Sequence, residues 1–416
     1  MSKGNPYCRR PAYTLAVITI ICSIFFRSRV YGFTKCAYEY QTESRYQSCD
    51  VRARTSLYIV GANICDYDNN NDTYSPVHNM PGHLSRRYAI SVGATTALST
   101  LLLSPIAAAN ALTNKIPTWK LDGGVTFPIL ALNTAGLSLE ETYSAIDFAI
   151  DAGITHIDFH PGDERNGMAK YLSKHKETSR ESLFLNTKIR KPKPGTSPDV
   201  AKQLVHDQIN EDLRILNVQY VDMLMLRDSP DPLVIQSQWS AMEEVLKEGK
   251  TQSIGVINYC PSALKSVLQT AKIKPAVNYI MVHAGMGKDA HGLRTLGEKA
   301  GIRTFTYGQT GELPKKINED ILNNSILKKI GGAHGRDTEE VALQWVIQND
   351  MAASIRPSRN FGRCEGEECR MGILKQVQCF DWTMSKKEMA EIDALTSPDD
   401  NPTLFSSAGC PGAFGS

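Results

Sequence analysis

The feature that most constrains this chain is a unit repeated through its second part, in which a short apolar strand ends on a charged residue before a helical pattern. The strands 153–159, 183–187 and 220–226 carry Asp158, Lys188 and Arg227 at their ends. Continuous apolar strands that alternate with helices predict a parallel sheet with both faces covered. Three charged side chains at successive strand ends are hard to explain by packing, so we expect them to form a site.

The alternation continues until eight strands can be counted. They are predicted at 129–134, 153–159, 183–187, 220–226, 253–257, 276–280, 303–307 and 352–355. An Asp-Gly turn at 121–128 predicts a hairpin before the first strand. Eight strands with helices between them fit one (β/α)₈ TIM barrel, which uses about 250 residues and carries its site at the C-terminal strand ends. We assign 112–416 to this domain, with the tail after Thr396 over the mouth of the barrel.

Several short motifs, taken in order, resemble the aldo-keto reductase family over about 121–395. They are His156-Ile157-Asp158, Thr187-Lys188, Tyr220-Val221-Asp222 and Gly255-Val256-Ile257-Asn258-Tyr259. The resemblance implies NADP-dependent hydride transfer to an aldehyde or ketone, a small-molecule carbonyl substrate. In such a site a tyrosine gives the proton, a lysine lowers its pKa, an aspartate holds the lysine and a histidine orients the substrate. Asp158 and Lys188 match the aspartate and the lysine.

The other two positions depart from the family pattern. Asp163 stands where the tyrosine is expected and Arg227 where the histidine is expected. A carboxyl group near Lys188 and Arg227 would be driven towards its ionised form, and an ionised Asp163 has no proton to give. The remaining candidates for a proton donor are His160, on the same loop, and a water molecule held by Lys188.

The resemblance also implies a set of cofactor-binding residues for NADP(H). Thr134 faces the cofactor in the family, Asn258 binds the nicotinamide carboxamide, Tyr279 replaces a glutamine with that role, and Tyr307 stacks on the nicotinamide ring. Ser358, Arg359 and Arg363 fall near the site of the adenosine 2′-phosphate, where guanidinium groups suit a phosphate. The alternative is that these arginines are surface residues paired with local acids.

The first 111 residues resemble three successive targeting segments. A basic and then apolar stretch predicts a signal peptide over 1–32, polar composition predicts a transit-like disordered segment over 33–84, and Arg86-Arg87 with an Ala-x-Ala end predicts a twin-arginine signal over 85–111. Together they indicate a plastid protein of the thylakoid lumen. The alternatives are an ordinary helix or a membrane span at 89–106, and a location in the stroma or the secretory pathway.

Composition limits the classes of partner that the protein can bind. The net charge of +2 and the lack of a basic, aromatic-rich stripe argue against nucleic acid, and we expect a monomer that does not bind a membrane in its mature form. Cysteine spacing predicts no metal site. Cys364 and Cys369 are either a disulfide or two free thiols.

Two functions remain open from the sequence. The first is an NADP-dependent reductase with a rearranged proton donor. The second is a barrel that has lost the chemistry and acts as a nucleotide-binding, structural or regulatory protein. The altered positions Asp163 and Arg227 favour the second function, whereas Asp158, Lys188, Asn258 and Tyr307 favour continued use of the cleft.

Overall fold

A computed structural model of the chain describes residues 116–289, 292–310, 315–357 and 363–396. The three predicted targeting segments, the residues Ser358 and Arg359, and the tail after Thr396 lie outside the described residues. No helix in the described ranges combines the length and the apolar character that crossing a bilayer requires.

A hairpin precedes the barrel, as the Asp-Gly turn predicts. Strand β1 (Thr118–Lys120) pairs antiparallel with β2 (Thr126–Pro128) across a 3₁₀ turn at Asp122–Gly124. Phe127 is fully buried, and its ring meets those of three barrel residues edge-on. These residues are His156, Phe184 and Phe305. Since His156 and Phe184 begin their strands, the hairpin closes the N-terminal end of the barrel.

Eight parallel strands form a closed barrel, which confirms the predicted fold class. The strands are β3 (Leu130–Asn133), β4 (His156–Asp158), β5 (Phe184–Ile189), β6 (Val221–Arg227), β7 (Thr251–Ile257), β8 (Val277–Met281), β9 (Arg303–Tyr307) and β10 (Ala352–Ile355). Each strand pairs with the next in the chain, and β10 pairs with both β9 and β3. The predicted strands differ from these by three residues at most at either end.

Helices cover the outside of the barrel. They are α1 (Leu139–Asp151), α2 (Asp163–Lys174), α3 (Pro198–Leu216), α4 (Pro232–Lys247), α5 (Pro261–Thr270), α6 (Leu293–Ala300), α7 (Lys315–Leu322), α8 (Ser325–His334), α9 (Thr338–Gln348), α10 (Gly366–Val377) and α11 (Lys386–Asp393), with 3₁₀ turns at Arg180–Ser182 and Gln378–Phe380. Ser138 and Glu141 form a reciprocal capping box at the start of α1, because each side chain bonds the backbone N–H of the other.

The interior of the barrel changes character along its axis. Its lower part is filled by apolar side chains, among them Phe127, Met223 and Phe305. Towards the C-terminal strand ends the buried side chains become polar, and these include Asp158 and Lys188. Burying charged groups is unfavourable unless they are paired and hydrogen-bonded, so this polar layer needs a specific reason to exist.

Candidate active site

An ion pair lies at the centre of the polar layer. Asp158 ends β4 and Lys188 lies in β5, and the ammonium group of Lys188 donates a hydrogen bond to Asp158 Oδ1. Both side chains are fully buried. Lys188 Nζ also lies 3.2 Å from the carbonyl oxygen of Phe159. The structure therefore brings together the two residues that match the family pattern.

Three further side chains donate to the same carboxylate. Asn186 Nδ2 lies 2.9 Å from Asp158 Oδ1, while the hydroxyls of Tyr279 and Ser354 lie 2.6 and 2.8 Å from Oδ2. Burial opposes ionisation of Asp158 and raises its pKa. The charges of Lys188 and His160, with the hydrogen bonds from Lys188 and Tyr279, outweigh burial and hold that pKa below its ordinary value. Burial lowers the pKa of Lys188, and Asp158 only partly offsets that effect.

Asp163 does not take the tyrosine's place in the cavity. It is an exposed residue at the start of α2, and among the described residues no hydrogen bond or ion pair joins it to Lys188 or Arg227. The expectation that these two cations would act directly on Asp163 is therefore not met. The reason is local: Gly162 has a φ of 118°, where only glycine is relaxed, and the helix that begins after it turns Asp163 outward.

Glu164, which the family pattern did not point to, turns inward instead. Its Oε2 accepts hydrogen bonds of 2.8 Å from both the backbone N–H and the Nδ1 of His160, and its Oε1 accepts one of 3.0 Å from the backbone N–H of Gly136. Thr134 Oγ1 lies 3.2 Å from the same carboxylate and 3.1 Å from the carbonyl oxygen of Asp158. Thr134 thus supports Glu164 and does not line the cavity.

His160 is the titratable group that this arrangement presents to the cavity. Because its Nδ1 is hydrogen-bonded to Glu164, the neutral ring carries its proton there and Nε2 remains for the cavity. Burial and the charge of Lys188 lower the pKa of His160, and the hydrogen bond to Glu164 only partly restores it. Burial also works against the ionisation of Glu164, yet His160 and the Gly136 N–H hold the pKa of Glu164 below its ordinary value.

A cavity of about 200 Å³ opens at the C-terminal end of the barrel above the Asp158–Lys188 pair. Its lining is mixed polar and aromatic: Asn133, Ala135, His160, Arg227, Ile257, Asn258, Tyr279, Tyr307 and Arg356. Five of these are sequence-predicted site residues, whereas Asn133, Ala135, Ile257 and Arg356 were not. Asn133 ends strand β3 and Arg356 follows β10, so their position at C-terminal strand ends was the available signal.

The residues assigned to nicotinamide binding lie together in this cavity. Tyr307 donates a hydrogen bond of 2.7 Å to Asn258 Oδ1, which leaves the amide nitrogen of Asn258 for a ligand. Asn258 has a left-handed backbone, with a φ of 62°. Tyr279 contributes its ring to the wall, but its hydroxyl is directed to Asp158, so it cannot replace the glutamine directly.

Arg363 lies away from this cavity. It is exposed and lines an open depression with residues of α1 and with Cys364 and Glu365. Slight burial raises the pKa of Glu141, but hydrogen bonds from Ser138 and the nearby charge of Arg363 leave it lowered. Arg363 is therefore close to a local acid, which is the alternative that the sequence left open.

The cysteine at 364 forms a disulfide with Cys369, with Cα atoms 5.0 Å apart. Cys260 is also disulfide-bonded, and Cys379 is a buried free thiol. Within the described ranges no group of three or more histidine, cysteine or carboxylate side chains could hold a metal ion.

The fold and the site define a class: a (β/α)₈ barrel with a buried carboxylate–lysine pair beneath a cavity at its C-terminal end. The aldo/keto reductase family model matches residues 123–396, so the chain belongs to the aldo-keto reductase family.

Two relatives and two solved structures illustrate the similarity. Morphine 6-dehydrogenase of Pseudomonas putida is 28% identical over 292 residues, covering 68% of this chain and 92% of that protein. D-galacturonate reductase of Fragaria ananassa is also 28% identical, over 65% of this chain and 87% of that protein. An aldo/keto reductase of Brucella melitensis superposes with a TM-score of 0.58 at 24% identity, covering 67% of this chain and 99% of that one. The Bombyx mori aldo-keto reductase in complex with NADP superposes with a TM-score of 0.55 at 21% identity, over 67% and 92% of the chains.

Proposed function

We propose that this protein is an NADPH-dependent reductase of small aldehydes or ketones in which His160 gives the proton. The observation that carries the proposal is the pairing of His160 Nδ1 with Glu164 at 2.8 Å, at the edge of the cavity above Asp158 and Lys188. A carboxylate that orients an imidazole and leaves its second nitrogen free is a known arrangement for general acid–base catalysis.

The residues on the nicotinamide side fit the cofactor in part. The free amide nitrogen of Asn258 can donate to a carboxamide oxygen, and the ring of Tyr307 offers an aromatic wall. NADPH would supply the hydride. Ser358 and Arg359 remain proposals for the phosphate, whereas the position of Arg363 beside Glu141 weakens its assignment.

The proton can be followed through the protein's own groups. In the protonated ring, the Nε2–H of His160 donates a hydrogen bond to the substrate's carbonyl oxygen, while the Nδ1–H remains hydrogen-bonded to Glu164. As the carbonyl carbon accepts the hydride, that proton passes to the oxygen, the product is an alcohol and His160 becomes neutral. Burial and the charge of Lys188 disfavour the imidazolium and lower the pKa of His160, which makes it a stronger acid than a free histidine.

A second candidate is a barrel that binds a nucleotide without chemistry. Tyr279 favours it, because its hydroxyl reaches Asp158 and its bulk occupies the place of the expected glutamine. Both candidates predict binding of NADPH, but only the first predicts that NADPH is oxidised.

The experiment compares NADPH binding and NADPH oxidation for the purified protein with methylglyoxal as the carbonyl. We expect binding at micromolar concentrations and an oxidation rate that falls about 100-fold or more in His160→Gln, because general acid catalysis contributes about 10²- to 10⁴-fold. The matched control is His206→Gln, since His206 also pairs with a glutamate, Glu244, but does so on the surface of α3. Binding without turnover would support the second candidate.

For the cellular location we propose the plastid, with the thylakoid lumen as the final compartment. The support is the order of the three segments 1–32, 33–84 and 85–111, which is the order such a route requires. Immunogold labelling of the native protein tests this, and label confined to the stroma would contradict it.

A further inference from the structure

Arg227 lacks the hydrogen-bonded acidic partner that two other arginines of the barrel have. Arg165 binds Asp212 at 2.8 Å and Arg180 binds Asp222 at 2.7 Å. For the guanidinium of Arg227 the described part of the chain provides neither a hydrogen bond nor an ion pair. The neighbouring carboxylate of Asp228 is hydrogen-bonded to Lys191, whose Nζ lies 3.1 Å from Asp228 Oδ2, and it interacts with Arg227 only through its charge.

The position of Arg227 turns this missing partner into a binding feature. Arg227 is the last residue of β6, lies half-buried opposite Ile257 of β7, and lines the cavity with His160. Its charge contributes to lowering the pKa values of both Lys188 and His160, after burial and nearer charges. A partly desolvated cation among other cations is unfavourable, and an anion in the cavity would remove that cost.

The chemistry of the group specifies the anion. A guanidinium fork binds a carboxylate through two parallel hydrogen bonds, which fixes the orientation of the bound molecule as well as attracting it. The cavity of about 200 Å³ must also admit the nicotinamide, so the space for a substrate is small.

Resting on the proposed reductase function, we propose that the substrates are small carbonyl compounds that carry a carboxylate, such as short 2-oxo acids, and that Arg227 binds this carboxylate. With the carboxylate on Arg227, the carbonyl oxygen is directed to His160 Nε2. Arg227 therefore determines substrate specificity, while His160 carries the proton.

The experiment uses pyruvate and its uncharged methyl ester as a matched pair with the purified protein and NADPH. Loss of a charge-assisted hydrogen bond costs enough to lower kcat/KM by about 10- to 100-fold. We expect Arg227→Gln to lower kcat/KM for pyruvate by that factor and for methyl pyruvate by less than threefold. Because the loss for each substrate is measured relative to the wild type, the different intrinsic reactivity of the two ketones cancels. Arg227→Lys keeps the charge but not the fork, so its kcat/KM for pyruvate should lie between the values of the wild type and Arg227→Gln.

The control is Arg214→Gln on the exposed face of α3, which should change neither value. An equal loss for both substrates in Arg227→Gln would overturn the proposal, because Arg227 would then act on the carbonyl. A weaker affinity for NADPH in that variant would also overturn it, since Arg227 would then serve the cofactor.

Failure of the reductase function itself gives a different result. If the wild type does not oxidise NADPH with any of the carbonyl compounds tested, pyruvate binding is measured by isothermal titration in the presence of NADPH. Binding that is lost in Arg227→Gln but kept in Arg214→Gln supports the carboxylate site without turnover. Equal binding by all three proteins, or none by the wild type, overturns it.

Discussion

The hydroxyl of Tyr279, in β8, donates a hydrogen bond of 2.6 Å to Asp158 Oδ2, in β4, across the interior of the barrel. The same hydroxyl accepts a hydrogen bond of 3.2 Å from Asn133 Nδ2. Tyr279 therefore links the wall of the cavity to the carboxylate that holds Lys188. A residue at a cofactor-binding position of the family has here become part of the support for the ion pair.

Replacing Tyr279 by phenylalanine should measure that support. The change removes one hydrogen bond to a charged group and leaves Asn133 without its acceptor, so we expect the free energy of unfolding to fall by about 2 kcal/mol. Urea denaturation at pH 7 gives the value. Tyr307→Phe is the matched control, because its hydroxyl bonds the neutral Asn258 and its loss should cost about 1 kcal/mol. Equal losses would mean that the charge of Asp158 is unimportant to the bond.

Replacing Lys188 by methionine should expose the cost of the buried carboxylate. Removing one partner of a buried ion pair typically destabilises a protein by about 3 to 5 kcal/mol, because the other charge remains without compensation. Asp158 would protonate more readily, so part of the loss should be recovered as the pH falls, whereas the wild type loses stability when its low-pKa Asp158 is protonated.

The double variant Lys188→Met with Asp158→Asn provides the check on that explanation. It removes both charges, so it should be more stable than Lys188→Met alone when both are unfolded in urea at pH 7. If the loss of stability in the double variant equals the sum of the losses in Lys188→Met and Asp158→Asn, the two residues do not act as a pair.

The strands could be predicted from the sequence because apolar, β-branched runs between helical patterns are a local signal. Asp158 and Lys188 could be placed for the same reason, since strand ends meet at one end of a barrel. The roles of Asp163 and Glu164 could not, because they depend on the residue at which α2 begins, and Gly162 sets that start through its backbone. The Tyr279–Asp158 bond joins residues 121 positions apart and depends on the length and direction of one side chain.

The pH profile of the proposed reaction should move when Glu164 is changed. Reduction needs protonated His160, so kcat/KM should fall as the pH rises through the pKa of His160, which burial and Lys188 hold below its ordinary value. The charged groups acting on that ring are Glu164, Lys188, Arg227 and Asp158. Glu164 raises the pKa of His160, so Glu164→Gln should shift the inflection to lower pH and lower the rate at pH 7 about tenfold per pKa unit.

The surface pair of His206 and Glu244 supplies the control for this profile. Glu244→Gln also removes a carboxylate that binds a histidine, at 3.1 Å, but this pair lies outside the proposed active site. It should leave the profile unchanged. An inflection that stays in place in Glu164→Gln would exclude His160 as the proton donor.

His156 should make the protein less stable in mild acid. Its ring is fully buried among Phe127, Phe184 and Phe305, and burial lowers its pKa to about 4. The unfolded chain takes up a proton near pH 6.5 while the folded chain does not, so the free energy of unfolding should decrease from pH 6.5 down to about 4, by about 3 kcal/mol in all. Urea denaturation between pH 6.5 and 5 measures this decrease in the free energy of unfolding. The decrease should be smaller in His156→Gln than in the wild type, and the same as in the wild type in His206→Gln. Parallel curves for the wild type and His156→Gln would mean that the folded protein accommodates the proton on His156.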